Sequence, residues 1–332
     1  MEIHGEMATA EQIKALLRSH IEGDQDRFLT VSMQVAAHAA RRGSTNLAKD
    51  LRDLIEQAQR RGIQPTGRPS VPISRPVGEL ADLVAASYPK TRLADMVLAE
   101  PVRQSLERVV AESQQQGKLR SHGLSARRKL LLVGPPGSGK TMTASALAGE
   151  LKLPLLAVRL DGLITKFLGE SAAKLRLVFD SMLTTRGVYL FDEFDAIGGD
   201  RARPNDVGEM RRVLNSFLQF LETDESDSLI LAATNHVTSL DAALFRRFDD
   251  VVRYTQPTPD QAVELMRNRL NTYSMNGVIG DDVKHAADGL SYAEIAQACA
   301  EAAKAVVLED RAEITTQDLL AALKERQSIR QQ

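Results

Sequence analysis

The sequence predicts an α/β protein with a parallel sheet covered on both faces by helices, a C-terminal helical lid and a small N-terminal helical domain. From about residue 80, short apolar segments bounded by turn or polar residues alternate with helical patterns. That alternation is expected of buried parallel strands separated by helices. After Pro257 and Pro259 the strand pattern ends, and only helical patterns follow.

Residues 1–62 are predicted to form a small helical bundle. Apolar residues keep helical spacing in stretches such as Ile13–Ile21 and Leu47–Ala58. Acidic and basic residues balance here, whereas a DNA-binding helical domain is usually basic. We therefore expect this domain to bind a protein partner or a substrate. Four prolines between Pro65 and Pro76 predict an extended linker over residues 63–79.

The α/β core is predicted to cover residues 80–256 and the lid residues 257–332. The core strands, each short and apolar, are expected at Lys129–Val133, Leu155–Leu160, Gly187–Phe191 and Leu229–Ala233. The lid helices are expected at Pro259–Thr272, Asp281–Ala287, Tyr292–Glu309 and Thr315–Arg326.

Composition excludes several classes of protein. Hydrophobic residues make up 43% and charged residues 26% of the 332 residues, as in ordinary globular proteins. The net charge of -2 gives no reason to expect a nucleic-acid or membrane partner. The single cysteine, Cys299, cannot form an internal disulfide or a zinc cluster. No secretory signal pattern is present, and no apolar run approaches the ~20 residues needed to span a bilayer. We expect a cytoplasmic protein.

A glycine-rich loop follows the first predicted core strand. Residues 134–141 match the phosphate-loop pattern G-x-x-x-x-G-K-[ST], between an apolar strand and a helix that begins near Met142. Lys140 is expected to reach the β- and γ-phosphates, and Thr141 to supply a hydroxyl ligand to Mg²⁺. The residues predicted to bind ATP are Gly134, Pro135, Pro136, Gly137, Ser138, Gly139, Lys140, Thr141 and Met142.

Polar residues also follow the next strands in the positions that nucleotide hydrolysis needs. Asp192 and Glu193 end an apolar strand; Asp192 is expected to hold Mg²⁺ and Glu193 to polarise the attacking water. The alternative is a solvated pair of carboxylates at a strand end. Asn235 ends the following strand and is expected to bridge the γ-phosphate and that water, the alternative being a turn former.

With these three strand ends, residues 80–326 resemble the AAA ATPases. The resemblance implies that Arg246 and Arg247 act as arginine fingers on the γ-phosphate held by a neighbouring subunit. Many members separate the two arginines by Pro-Gly, whereas here they are adjacent, so which one is the main finger stays open. A solvated basic pair is the alternative. Ala293 resembles the small residue that the AAA clade carries at the start of the nucleotide-facing lid helix. Leu93–Leu98 resembles the segment that reads adenine, although it could equally be plain core.

The resemblance also implies two loops that line the central pore of a hexamer. Phe167, Leu168 and Gly169 resemble the aromatic-hydrophobic-glycine loop that grips an extended polypeptide, and Gly198–Arg203 would be the second loop. The alternative for Phe167 is a core residue.

Three functions fit this pattern, because a fold alone does not select among them. We favour a homo-oligomeric ring, expected to be a hexamer, that remodels polypeptides with ATP. The alternatives are a nucleic-acid motor and a nucleotide-dependent signalling scaffold. Residues 10–20 and 35–42 resemble bacterial ATPases encoded beside a subtilisin-like serine protease in phage defence and plasmid competition. The chain has no Ser-His-Asp signature, so proteolysis would require that partner.

Overall fold

The computed structural model describes residues 35, 49, 76, 78–163, 170–195, 207–236, 242–273, 278–311 and 313–330. The chain divides into two units, Met1–Ile73 and Ser74–Gln332. In the first unit, Val35 is helical and buried, and Lys49 is helical and exposed. The rest of the predicted bundle and most of the predicted linker lie outside the described residues, so their bounds stay predictions.

The second unit contains a six-stranded, mostly parallel sheet. Its strands lie in the order β1-β3-β4-β5-β2-β6. Their bounds are β1 Val84–Ser87, β2 Lys129–Val133, β3 Leu155–Val158, β4 Val188–Phe191, β5 Leu229–Thr234 and β6 Asp250–Arg253. All neighbouring pairs are parallel except β1 and β3. The predicted α/β architecture is confirmed.

Three details differ from the sequence prediction. The sheet is mixed, because β1 at one edge runs antiparallel to β3. Both edge strands, β1 and β6, are four residues long and carry too little apolar pattern to have been predicted. The strand predicted over Leu155–Leu160 ends at Val158, and Leu160 begins a short helix instead. Leu160 is buried all the same, which explains why its apolar character extended the predicted strand.

Helices surround the sheet and form the lid. Around the sheet lie α1 Glu79–Leu83, α2 Glu100–Gln114, α3 Gln116–Ser121, α4 Lys140–Leu151, α5 Leu160–Leu163, α6 Glu170–Thr184, α7 Val207–Thr223 and α8 Ala242–Phe245. The lid helices are α9 Pro259–Arg269, α10 Asp281–Ala286, α11 Tyr292–Leu308 and α12 Thr316–Arg330. Among the described helices, none is long and apolar enough to cross a bilayer.

Each face of the sheet has its own core, because successive side chains of a strand point to opposite faces. On β2, Leu131 and Val133 pack with the aromatic side chains of α6 and α7, whereas Leu130 and Leu132 pack with α2 and α4. The central strands are therefore buried on both sides, and their carboxyl ends are held at fixed positions.

The lid has a third core, formed by the apolar faces of α9 to α12. Cys299 lies in it, 1% exposed, and burial raises the pKa of its thiol to about 12. Val97, from the segment before α2, also belongs to this core. Val97 therefore packs the lid against the segment that leads into α2.

Candidate nucleotide-binding site

The predicted site residues follow three neighbouring strands. In the sheet, β5 lies between β4 and β2. The registers pair Phe191 with Ala232 and Val133 with Thr234, so the three carboxyl ends meet at one edge. Crevices at this edge are where open α/β sheets bind ligands. The loop after Val133, the pair Asp192–Glu193 and Asn235 are therefore brought together, although they are far apart in sequence.

The glycine-rich loop adopts a conformation that its glycines make accessible. Gly137 and Gly139 have φ angles of 73° and 100°, in the region that L-residues with a side chain rarely enter. At Gly134 the need is for space: a Cβ there would lie 2.7 Å from both the Cβ and the carbonyl oxygen of Tyr254. The loop ends at α4, which begins with Lys140.

Lys140 connects the loop to the end of β5. Its ammonium group donates hydrogen bonds to the carbonyl oxygens of Gly134 and Pro135, each at 2.8 Å, and to Oδ1 of Asn235 at 2.7 Å. These contacts use all three of its donors. Burial lowers the pKa of Lys140 from its ordinary value, and the charges of Asp192 and Asp195 partly oppose that shift. The side chain is 6% exposed, so the structure holds a buried cation beside Asn235.

Thr141 and Asp192 supply adjacent oxygen atoms. The Thr141 hydroxyl donates to Oδ2 of Asp192 at 2.6 Å. Mg²⁺ prefers oxygen ligands and, in nucleotide sites, takes one or two from protein and others from phosphate and water. Among the described residues, no cluster of three or more His, Cys, Asp or Glu forms a separate metal cage. The hydroxyl–carboxylate pair fits Mg²⁺ held together with a nucleotide.

Glu193 lies on a strained turn immediately after β4. Its φ angle is 51°, an uncommon conformation for a non-glycine residue. Two contacts impose it: the Glu193 amide donates to Oδ1 of Asp192 at 2.9 Å, and the next amide, of Phe194, donates to the carbonyl of Ala233 at 2.8 Å. Phe194 is completely buried while Glu193 is exposed and lines the cavity described below. The turn thus anchors an aromatic ring and leaves the glutamate carboxylate accessible.

Asp195 is a site residue that sequence reasoning missed. Its Oδ1 accepts hydrogen bonds from the Thr234 hydroxyl at 3.0 Å and from the backbone N–H of Asn235 at 3.3 Å. Asp195 therefore orients the end of β5, and with it the amide side chain that contacts Lys140. Its only sequence signal was its place two residues after Glu193.

The loop from Pro136 to Met142, together with Asp192, Glu193 and Asn235, lines a cavity of about 450 Å³, within the usual range for small-molecule sites. The lid and the segment before α2 complete the cavity. Its lining comprises Asp95, Met96, Val97, Pro136, Gly137, Ser138, Gly139, Lys140, Thr141, Met142, Asp192, Glu193, Asn235, Leu265, Arg269, Tyr292, Ala293 and Ala296. Within Leu93–Leu98, the residues Asp95, Met96 and Val97 line the cavity, whereas Leu93 belongs to the core. Arg269 was not predicted, because nothing in the sequence distinguishes it from the other basic residues of α9.

The lid touches the glycine-rich loop directly. The Ala293 amide donates to the Gly137 carbonyl at 3.1 Å. A Cβ on Gly137 would lie 3.1 Å from the Cβ of Ala293 and 2.6 Å from Oγ of Ser291. Only a small side chain at Ala293 suits so close an approach. Ser291 is itself fixed, since it caps α11 in a reciprocal hydrogen-bond pair with Glu294.

Ser138 carries an unpaired polar atom at the centre of the loop. It is 4% exposed, and among the described residues its Oγ is the one buried side-chain oxygen or nitrogen without a hydrogen-bond partner. A buried polar atom left unpaired is costly. Because Ser138 also lines the cavity, a phosphate oxygen there would satisfy it.

The two candidate finger arginines lie away from this cavity and differ from each other. Arg247 is partly buried and forms an ion pair with Glu222 near the end of α7. Arg246 is exposed, and its side chain forms no hydrogen bond or ion pair with any described residue. Neither lines the cavity of its own chain. Phe167, Leu168 and Gly169 lie outside the described residues, as does Gly198–Arg203, so both pore-loop assignments stay predictions.

Comparisons with known proteins agree on one family. The family model for "ATPase family associated with various cellular activities (AAA)" matches residues 130–256. An uncharacterised AAA family ATPase, y4kL of Sinorhizobium fredii, is 34% identical over 321 residues, covering 96% of each chain.

More distant relatives and a solved structure extend the comparison. The ATP-dependent zinc metalloprotease FtsH of Acidothermus cellulolyticus is 33% identical, over 72% of this chain and 37% of that protein. The proteasome-activating nucleotidase of Methanoregula boonei is 31% identical, over 60% of this chain and 48% of that protein. The crystal structure of the FIGL-1 AAA domain matches with a TM-score of 0.59 at 24% identity, over 73% of this chain and 85% of that one, which supports the fold.

Proposed function

The chain belongs to the AAA family of ATPases, and from that premise we propose that it is the subunit of a ring that uses ATP hydrolysis to remodel polypeptides. The observation that carries the proposal is the meeting of the glycine-rich loop, Asp192–Glu193 and Asn235 at one sheet edge, beneath a lid that touches the loop. ATP binding and hydrolysis follow from the family; the ring, Mg²⁺ and the polypeptide substrate are proposed.

To bind ATP, each group around the glycine-rich loop would have its own role. The amides of residues 137–141 would receive the phosphates, with the positive end of the α4 dipole behind them. Lys140 would neutralise the β- and γ-phosphates. Ser138 Oγ, buried without a partner, supports a phosphate in contact with the loop. Thr141 and Asp192 would hold Mg²⁺, which would supply electrostatic stabilisation of phosphate charge.

In the proposed mechanism, hydrolysis of ATP depends on the exposed carboxylate of Glu193. Held on its strained turn beside Asp192, it would accept a proton from the attacking water. Asn235, oriented by Asp195, would hold that water in line with the γ-phosphate. The Lys140–Asn235 hydrogen bond supports this, since it places the amide next to the group that neutralises phosphate.

The ring proposal rests on Arg246. An exposed arginine whose side chain has no partner among the described residues, and which does not line its own cavity, is available to a neighbouring subunit. Arg247 is already engaged by Glu222. We therefore assign the main finger to Arg246, and to Arg247 the role of holding the segment after α8 in place. Relatives named as a zinc metalloprotease and a proteasome-activating nucleotidase favour a polypeptide substrate.

The test is a substrate trap. Glu193→Gln should keep ATP binding and lose hydrolysis by ~10²–10⁴-fold, the usual cost of removing a general base. With ATP, the trap should retain polypeptides that Lys140→Ala, which cannot bind phosphate, does not. Wild-type protein should then unfold a purified, retained client with ATP. A trap that retains nucleic acid and no protein would favour the nucleic-acid motor, and one that retains neither would favour the signalling scaffold.

A narrower biological role can be read from the same experiment. We propose that the ring delivers clients to a subtilisin-like serine protease in defence against phage. Support comes from the resemblance of residues 10–20 and 35–42 to ATPases encoded beside such proteases. A serine protease retained with the trap, and active on the client only when wild-type ATPase is present, is the expected result. Client unfolding without any associated protease would leave the remodelling function and remove this role.

A further inference from the structure

We infer that Tyr254 is a positioning residue for the phosphate loop, acting through Thr143 on the peptide group that joins Gly139 to Lys140. Tyr254 directly follows β6 and belongs to none of the motifs recognised in the sequence. It is 7% exposed and packs in the core between the sheet and α4. This role requires only that the protein hydrolyses ATP, and it does not depend on ring assembly or on a polypeptide substrate.

Two hydroxyl groups form a buried relay from Tyr254 to the loop. The Thr143 hydroxyl lies 3.1 Å from the carbonyl oxygen of Gly139 and 2.6 Å from Oη of Tyr254. A carbonyl can only accept, and a threonine hydroxyl has one proton. Thr143 therefore donates to Gly139, and Tyr254 donates to Thr143. Burial raises the pKa of Tyr254 far above its ordinary value, so this donor keeps its proton at neutral pH.

The relay orients a particular peptide group. The Gly139 carbonyl also accepts the Thr143 amide at 2.8 Å, so it is held from two directions. That carbonyl and the Lys140 N–H belong to one planar trans peptide, in which the two groups point in opposite directions. Fixing the oxygen toward Thr143 turns the Lys140 N–H away from it, toward the phosphate side. Because Gly139 has a φ angle of 100°, local preference does not maintain this turn and tertiary contacts are needed.

Tyr254 also contacts the beginning of the loop. Its amide donates to the Val133 carbonyl at 2.7 Å. Its Cβ and carbonyl oxygen occupy the space beside Gly134, where a Cβ would lie 2.7 Å from each. One residue thus braces both the first glycine of the loop and, through Thr143, the last. Contact with both residues fixes the distance between Gly134 and Gly139. The direction of the loop's N–H groups depends on that distance.

Tyr254→Phe removes the hydroxyl and keeps the ring. We expect the KM for ATP to rise about fivefold, the fold-change that corresponds to one net hydrogen bond. The kcat should stay near wild type, since the loop contacts phosphate equally before and during reaction. The matched control is Tyr189→Phe, which removes a hydroxyl that donates to the Thr185 carbonyl at 3.0 Å from a side chain that is 1% exposed. Tyr189 packs on the opposite face of the sheet, so the KM of Tyr189→Phe for ATP should equal that of the wild type.

A second pair of variants keeps the test decisive if Tyr254→Phe folds poorly. Thr143→Ser keeps the relay hydroxyl and should keep the KM, whereas Thr143→Val removes it and should raise the KM. Adding Tyr254→Phe to Thr143→Val should raise the KM no further, since the relay is already broken. The inference is overturned if Tyr254→Phe and Tyr189→Phe lower the melting temperature equally and leave the KM for ATP unchanged. It is also overturned if Thr143→Ser and Thr143→Val have the same KM for ATP.

Discussion

Replacing Gly137 by alanine should displace the lid from the glycine-rich loop. The new Cβ would lie 2.6 Å from Oγ and 3.0 Å from Cβ of Ser291. Ser291 cannot simply rotate away, because its hydroxyl accepts the Glu294 amide at 3.3 Å as the cap of α11. Relief of the clash therefore requires Ser291 to give up this cap and the start of α11 to move, which also breaks the Ala293–Gly137 hydrogen bond.

The expected loss in the free energy of unfolding of Gly137→Ala has two contributions, one from the backbone conformation and one from the displaced lid. A side chain at φ 73° costs about 1–2 kcal/mol. Losing the helix cap costs ~1 kcal/mol and losing the backbone hydrogen bond a further ~1 kcal/mol. Gly123 separates the two parts: its φ angle is 71°, and a Cβ there would meet nothing within 4 Å. Gly123→Ala should show the backbone cost alone, so Gly137→Ala should be about 2 kcal/mol less stable than this control.

Thermal unfolding and ATP titration measure the difference. For a unit of this size ~1 kcal/mol shifts the melting temperature by about 2–4 °C, so Gly137→Ala should melt about 4–8 °C below Gly123→Ala. Its KM for ATP should also rise, because the displaced lid forms one wall of the cavity, whereas Gly123→Ala should keep the wild-type KM. Equal melting temperatures and equal KM values for the two variants would refute a tight contact between lid and loop.

Two further pairs of substitutions test the arginines. Arg246→Ala should lower the ATPase rate of the assembled protein by ~10³-fold or more, as loss of a finger does, while Arg247→Ala, which loses an exposed ion pair, should lower it less. Mixing Arg246→Ala with Glu193→Gln subunits should partly restore activity, and the reverse ranking of the two arginines would contradict the assignment. Arg269→Ala should raise the KM for ATP about tenfold, since charged hydrogen bonds are stronger than neutral ones. Arg267→Ala, an exposed neighbour outside the cavity, is its control, and equal KM values would exclude a role for Arg269.

Much of the fold and of the phosphate site could be predicted because their signals are local. The strands β2, β4 and β5 are short and largely apolar, and each is followed at once by a candidate site residue. Gly137 and Gly139, predicted as part of the phosphate-binding loop, adopt the positive φ angles that glycine permits. The edge strands were not predictable, because four residues of mixed pattern have no signature.

Asp195, Arg269 and Tyr254 could not be found in the sequence, because each owes its place to a contact between distant segments. Asp195 accepts from residues about forty positions away. Tyr254 meets Thr143 across 111 positions, and nothing in either residue's neighbourhood indicates the other. Likewise, only the fold distinguishes Arg247, which pairs with Glu222, from Arg246, whose side chain has no partner within the part of the chain that the structure describes.

By itself, the sequence determined the chemistry: a loop that can bind phosphate, carboxylates after one strand, an amide after another, and the α/β alternation that arranges them. Periodicity and spacing act within one segment, so they survive in a one-dimensional pattern. The tertiary structure decided the geometry: which side chains brace the loop, how closely the lid approaches Gly137, and which arginine pairs with Glu222. Those outcomes depend on packing between segments that the chain order leaves far apart, where differences of a few tenths of an ångström decide whether a contact forms.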